Sequence, residues 1–157
     1  MTVWKQPPIA KMYEAFTAVA GGHVRLTGPG TALVTSSDDA RVSEVDWSED
    51  GAAIGSNDNA SYWQGYAGYP IIAVLLTLGT LHADEAVIAP LAGVDWHELN
   101  ARFKRDYETA VAHVLEEAAI RGADAAAIVA AAEDVAGQLA QLQLQRPARG
   151  RRPPGPT

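Results

Sequence analysis

A chain of 157 residues, 48% hydrophobic and 20% charged, has the size and chemistry of one ordinary domain that can bury a core without cross-links. The absence of cysteine excludes disulfides and thiolate metal sites, and fits a reducing compartment. Of a net charge of −7, residues 1–145 carry −11, with all 19 acids, while residues 146–157 carry four Arg and no acid; the acidic body repels phosphate backbones and favours solubility.

The opening stretch MTVWKQPPIAKMYEAF has no apolar run long enough for a signal peptide, and the longest apolar run, Ile71 to Leu78, is too short to span a bilayer. A cytoplasmic protein without membrane contact is expected. Trp4 to Pro8 reads as a lead-in, because two prolines disfavour helix before residue 9. Ile9, Met12, Tyr13, Phe16 and Val19 then recur at helical spacing, predicting an amphipathic helix over 9–20 that Gly21-Gly22 stops.

At His23 the period changes. His23 to Thr27 alternates, Gly28-Pro29-Gly30 is a turn, and Thr31 to Thr35 reads as a second strand. Arg41 to Trp47 and Ala52 to Ser56 read as two more, separated by the turn Ser48 to Gly51. Short consecutive strands fit an antiparallel meander most simply.

Pro70 suits the first turn of a helix, and Ile71 to Leu78 is apolar on nearly all sides, so this helix is expected to be central and buried. A short helix from Asp84 is interrupted at Pro90. Asp95 and Glu98 form a capping-box pair ahead of a long helix that Gly122 closes, with Trp96, Leu99, Phe103, Tyr107, Val111 and Val114 on one face. Asp124 caps a last helix faced by Ile128, Val129, Ala132, Val135, Leu139 and Leu142, broken by Pro147. The Pro/Arg-rich remainder, 146–157, cannot build a core and is expected to be disordered. The predicted class is α+β: a small antiparallel sheet of three or four strands packed on a buried helix, with a C-terminal helical pair, all within a single domain over 1–145.

The stretch SNDNASYWQGYAGY, 56–69, is the unusual one. Asn57, Asp58, Asn59 and Gln64 bring hydrogen-bonding groups beside the rings of Tyr62, Trp63, Tyr66 and Tyr69. Polar groups beside aromatic faces are what a ligand pocket or a protein-binding hot spot needs. The same residues also make local turns and line a core with their polar tips toward water. Asp58 between two asparagines lacks the alternating ligands, glycine and distant Glu of a calcium loop. His23, His82, His97 and His113 do not pair at metal-ligand spacing. No G-x-S-x-G, P-loop or G-x-G-x-x-G is present. No metal, cofactor or catalytic residue is therefore expected. Arg102, Lys104 and Arg105 form a basic cluster on the long helix, which Arg102–Asp106 and Lys104–Glu108 pairs at i,i+4 would turn into a solvated face. Arg146, Arg149, Arg151 and Arg152 offer an anion contact without interleaved aromatics.

From KMYEAFTAVAGGHVRL through TALVTSSDDARVSEVDW and GAAIGSND to GYPIIAVLLTLG, the order over residues 11–79 resembles a SWIM-type zinc-finger module: a leading helix, a strand pair, a CxC near a strand end and a CxH opening a helix. Gly55 and Asn57 stand at the places of the two cysteines, and Gly68 and Pro70 at those of Cys and His, so no zinc site carries over. The resemblance implies that hydrophobic packing stands in for the metal, and it permits nucleic-acid or protein contacts.

Three functions follow as expectations. The first is a non-enzymatic interaction module using residues 57–69 toward a protein partner or small ligand, with the last helix supporting a homodimer. The second is nucleic-acid association through the Arg tail, which the acidic body disfavours. The third is a small enzyme in which a histidine approaches Asp58.

Overall fold

A computed structural model describes residues 2–147 and 152–154. It is an α+β fold in which the strands run as an antiparallel meander, β1 (Val24–Gly28), β2 (Thr31–Thr35), β3 (Val42–Trp47) and β4 (Ile54–Ser56), side by side in chain order. Around the sheet lie α1 (Ala10–Ala20), α2 (Tyr69–Leu78), α3 (Glu85–Ile88), α4 (Trp96–Arg102), α5 (Tyr107–Ile120) and α6 (Ala125–Leu142), with a π-helical turn at Ala60–Gln64 and a 3-10 turn at Ala89–Leu91.

The register explains which face of the sheet is dry. Val34 and Ala32 of β2 stand beside Ser43 and Val45 of β3 or beside Val24 and Leu26 of β1, and Ala32, Val34, Val45 and Ile54 are buried against α2. Helix α2 crosses all four strands, as its uniform apolarity requires. Pro70 opens it, and Gly79 closes it at φ +81°, a conformation only glycine takes freely.

The first helix differs from its predicted amphipathic form. Residues Met12 to Ala18 are all buried, because α2 covers one side of α1 and α3, α5, α6 and the 3-10 turn cover the others. Its polar positions are consequently sealed in and each finds a partner. Thr17 Oγ donates to the Leu91 carbonyl at 2.8 Å and accepts from Trp96 Nε1 at 2.8 Å. Glu14, 8% exposed, lies 2.8 Å from Lys11 Nζ and accepts from Asn100 Nδ2 at 3.3 Å.

The long helix expected over 95–122 is two helices. Lys104 and Arg105 take left-handed conformations (φ +53° and +65°), and Asp106 starts α5 by accepting from Thr109 N at 3.1 Å. An aspartate three residues before a threonine competes with helix continuation by capping a new one. The break dissolves the expected i,i+4 pairs: Arg102 Nε instead faces Glu98 at 3.5 Å, and its guanidinium lies over Phe103 and near His113. Asp84, Asp95 and Asp124 cap α3, α4 and α6 in the same manner.

The apolar stripe of α6 faces inward. Ile128, Ala132, Val135 and Leu139 are buried within this chain, against α5, α3 and α1, while Val129 is half-buried and Leu142 exposed, so most of the stripe packs within the chain rather than on the outside, where a homodimer seam was expected. Beyond α6 the chain stays ordered further than the tail boundary at 146. Gln145 pairs with Ala53 beside β4 and with Val3, Arg146 N donates to the Thr2 carbonyl at 2.7 Å, and Pro147 lies against Gly55. The remainder of the expected tail, at 148–151 and 155–157, lies outside the described residues. Among the described residues no helix is long and apolar enough to cross a membrane.

Candidate functional site

The 57–69 segment leaves β4, makes the π-helical turn and enters α2, and its polar residues divide by role. Asn57 is a fastener: its backbone N–H donates to the Glu44 carbonyl at 3.2 Å, and its Oδ1 accepts from Glu44 N at 2.8 Å, extending the β3–β4 pairing past the strand end. Asp58 is a latch. Its carboxylate accepts from Ser61 N at 3.0 Å and Ser61 Oγ at 2.7 Å, and the buried Ser61 hydroxyl in turn accepts from Gly68 N at 3.0 Å. A Cβ on Gly68 would overlap Asp58 Oδ2, so only glycine allows this approach. The start and end of the loop are thus bolted together through Ser61, and the turn between them is held at both ends.

A π-helical turn is rare and often sits at functional sites. This one presents its aromatics outward. Trp63 is 62% exposed and meets Tyr62 edge to face, with ring centroids 4.6 Å apart at 90°. Asn59 and Gln64 are exposed, whereas Tyr66 and Tyr69 are half-buried. Burial pushes both of those phenols above their ordinary range; around Tyr69, the carboxylates of Glu14 and Asp58 act in the same direction. The segment therefore has an inner row (Asn57, Asp58, Tyr69) that builds the fold and an outer row (Asn59, Trp63, Gln64) that faces water, with Tyr62 and Tyr66 between them.

The lead-in and chain end complete the site, which sequence reasoning missed. Trp4 is fixed by its Nε1 donating to the Ile54 carbonyl at 2.8 Å and by its N donating to Leu144 O at 2.9 Å. Lys5 N donates to the Gly65 carbonyl at 3.1 Å, so residues 3–5 bridge the loop and the chain end. Arg146 lies over the Trp4 ring, 4.9 Å from its centroid. At Gly65 (φ +74°) the position a Cβ would occupy is 3.4 Å from Arg146 Nη1 and 3.9 Å from Lys5 Cε. A crevice lined by Trp4, Ser56, Tyr62 and Arg146 runs alongside; a larger cleft of about 230 Å³ lies between the lead-in and the end of α6, lined by Trp4, Lys5, Ala67, Leu139 and Leu144. The unbroken aromatic Trp4 followed by Lys5, near two prolines, was the signal that this lead-in is anchored.

Of the four tail arginines, Arg146 joins the loop, Arg152 is exposed, and Arg149 and Arg151 lie outside the described residues. The histidines are scattered. His23 bonds the Thr35 carbonyl, the His82 backbone bonds Gln138, and His113 bonds Glu117 and Arg102. Among the described residues, the side-chain bonds of Asp58 go to Ser61 and none goes to a histidine. No group of three or more His, Asp or Glu is placed to hold a metal ion among them either.

A second polar cluster lies inside the protein. Burial pulls the Lys11 ammonium down, but the adjacent Glu14 carboxylate, helped by Tyr66 and Tyr107, outweighs it and leaves Lys11 above its ordinary value. Lys11 Nζ also sits 5.6 Å from the Tyr107 ring centroid. These groups tie α1 to the loop, to α4 through Asn100 and to the start of α5.

No curated protein and no solved structure matches the chain. One family model does, over residues 4–145, a span that takes in Trp4, the whole aromatic loop and the paired Gln145. The chain belongs to the family described as uncharacterised conserved protein UCP014422.

Proposed function

We propose that this protein is a non-enzymatic binding module whose contact surface is the outer row of the 57–69 loop, centred on Trp63. The observation that carries this reading is the exposed Trp63 on a turn whose two ends are bolted by the Asp58–Ser61–Gly68 bonds. Exposing an indole to water costs the chain burial energy it could have gained, and a rigid exposed Trp loses little entropy on binding. Trp, Tyr and Arg dominate binding hot spots, and Tyr62, Trp63 and Arg146 lie around one small crevice or touch its lining residues. Ile120 is more exposed, at 78%, but it stands alone at the end of α5, and single exposed aliphatics are ordinary.

The SWIM-type kinship is part of the same proposal. The positions of its ligands, at Gly55, Asn57, Gly68 and Pro70, lie on either side of the Asp58–Ser61–Gly68 bonds, and the packing of α2 on the sheet, expected to stand in for the metal, acts there together with these bonds.

The test places a photoreactive residue at position 63 and, as a control, at position 120, in protein expressed in its native host. A discrete adduct from position 63 and none from 120 is the expected result. Equal labelling from the two sites, or none from 63, removes Trp63 as the contact.

A further inference from the structure

We infer that the corner where Lys5 and Arg146 converge on Gly65 is an anion subsite of the Trp63 surface, and that the partner is an acidic protein segment which sets an apolar side chain against Trp63. This inference rests on the binding-module reading and names the partner's chemistry.

At Gly65 the position a Cβ would occupy lies 3.4 Å from Arg146 Nη1 and 3.9 Å from Lys5 Cε, the carbon that carries the ammonium, so the two basic side chains converge there. The chain carries 19 acidic residues, yet among the described residues neither Lys5 nor Arg146 takes part in an ion pair. Like charges brought together without a counter-charge repel, and an external carboxylate relieves that repulsion. Arg146 is also pre-arranged. Its backbone bond to Thr2 fixes the main chain, its guanidinium rests over the Trp4 ring, and a planar guanidinium suits bidentate capture of a carboxylate.

The charge balance of the whole chain selects the kind of partner. A nucleic-acid strand carries a charge at every residue and would run onto the acidic body. Strand binding also uses a track of stacked rings, whereas this surface exposes one indole beside one edge-on tyrosine. A short peptide can place a carboxylate or two at the corner and keep the rest of its length clear of the acids.

The test is fluorescence anisotropy with the full chain and three labelled probes: a peptide of alternating glutamate and phenylalanine, the same peptide with glutamine for glutamate, and an oligothymidine strand. Wild type is compared with Lys5→Gln, Arg146→Gln and Trp63→Ala, each checked for an unchanged urea midpoint. The glutamate peptide is expected to bind at least about tenfold more tightly than the glutamine peptide, to lose most of that margin in Lys5→Gln and Arg146→Gln, and to weaken as salt rises. Trp63→Ala is expected to weaken both peptides. Equal binding of both peptides that still needs Trp63 overturns the acidic partner and leaves the Trp63 surface standing. Peptide binding indifferent to Trp63 overturns both. Tighter binding of oligothymidine through Arg146 overturns the peptide in favour of nucleic acid. No binding of either peptide at about 1 mM overturns the inference outright.

Discussion

Replacing Lys11 with methionine asks whether the Lys11–Glu14 pair is a structural tie. The two side chains are 15% and 9% exposed, and Nζ and Oε2 are 2.8 Å apart. With an effective dielectric near 20, the gross attraction at that separation is about 6 kcal/mol. Dehydration of both ions offsets most of it, so the pair contributes little net stability as a unit. Losing one member is another matter. Glu14 would keep only the 3.3 Å contact from Asn100 in a site walled by α1, the loop and α4. An unpaired buried carboxylate of this kind costs about 3–5 kcal/mol. Urea unfolding followed by tryptophan fluorescence should show the midpoint falling by about 1.5–2.5 M for a slope near 2 kcal/mol per molar. The double variant Lys11→Met with Glu14→Leu should recover more than half of the loss, because it removes the orphaned charge. A loss below about 1 kcal/mol, or a double variant no better than the single, would mean the pair behaves like one on the surface, and the reasoning fails.

Stability should fall on the alkaline side from near pH 10. Lys11, Tyr13, Tyr66 and Tyr69 all have folded values above their ordinary 10.5 and 10.0, so their contributions are complete below those values and disappear as pH rises through the folded ones; thermal midpoints at pH 8 and pH 11 check this, and an unchanged midpoint refutes it. Asp58→Ala should cost about 1–3 kcal/mol by stripping two hydrogen bonds from Ser61, and should speed hydrogen exchange at Gly68 N. Trp96→Phe should cost about 1–2 kcal/mol through the lost bond to Thr17 Oγ, read as a lower urea midpoint. Trp63→Ala should leave that midpoint within about 0.5 kcal/mol, since most of the ring is already in water; a larger loss would make Trp63 a packing residue.

Periodicity and punctuation alone specified most of the elements. The meander between His23 and Ser56, the Pro-opened helix at 70 and the capped helices at 84, 95 and 124 follow from local rules, because turns, caps and apolar repeats act within a few residues of sequence. Even the break at 104–105 had a local sign in Asp106, masked by an apolar period that continued across it. The 57–69 segment was legible as unusual, but its division into an inner and an outer row was not. That division depends on where β3, Ser61 and Gly68 stand around it, and these are tertiary neighbours.

Tertiary structure alone decided three matters. It turned α1 from a two-faced helix into a buried one, since the number of elements packed on a helix is not encoded in its own period. It placed most of the stripe of α6 in this chain's core, with Leu142 left exposed at its end. And it brought residues 4–5, 62–65 and 146 together from three distant places in the chain. Sequence sets the chemistry residue by residue, but the meeting of Arg146 with the Trp4 ring, and of both Lys5 and Arg146 with Gly65, comes from chain crossings, which only the fold supplies.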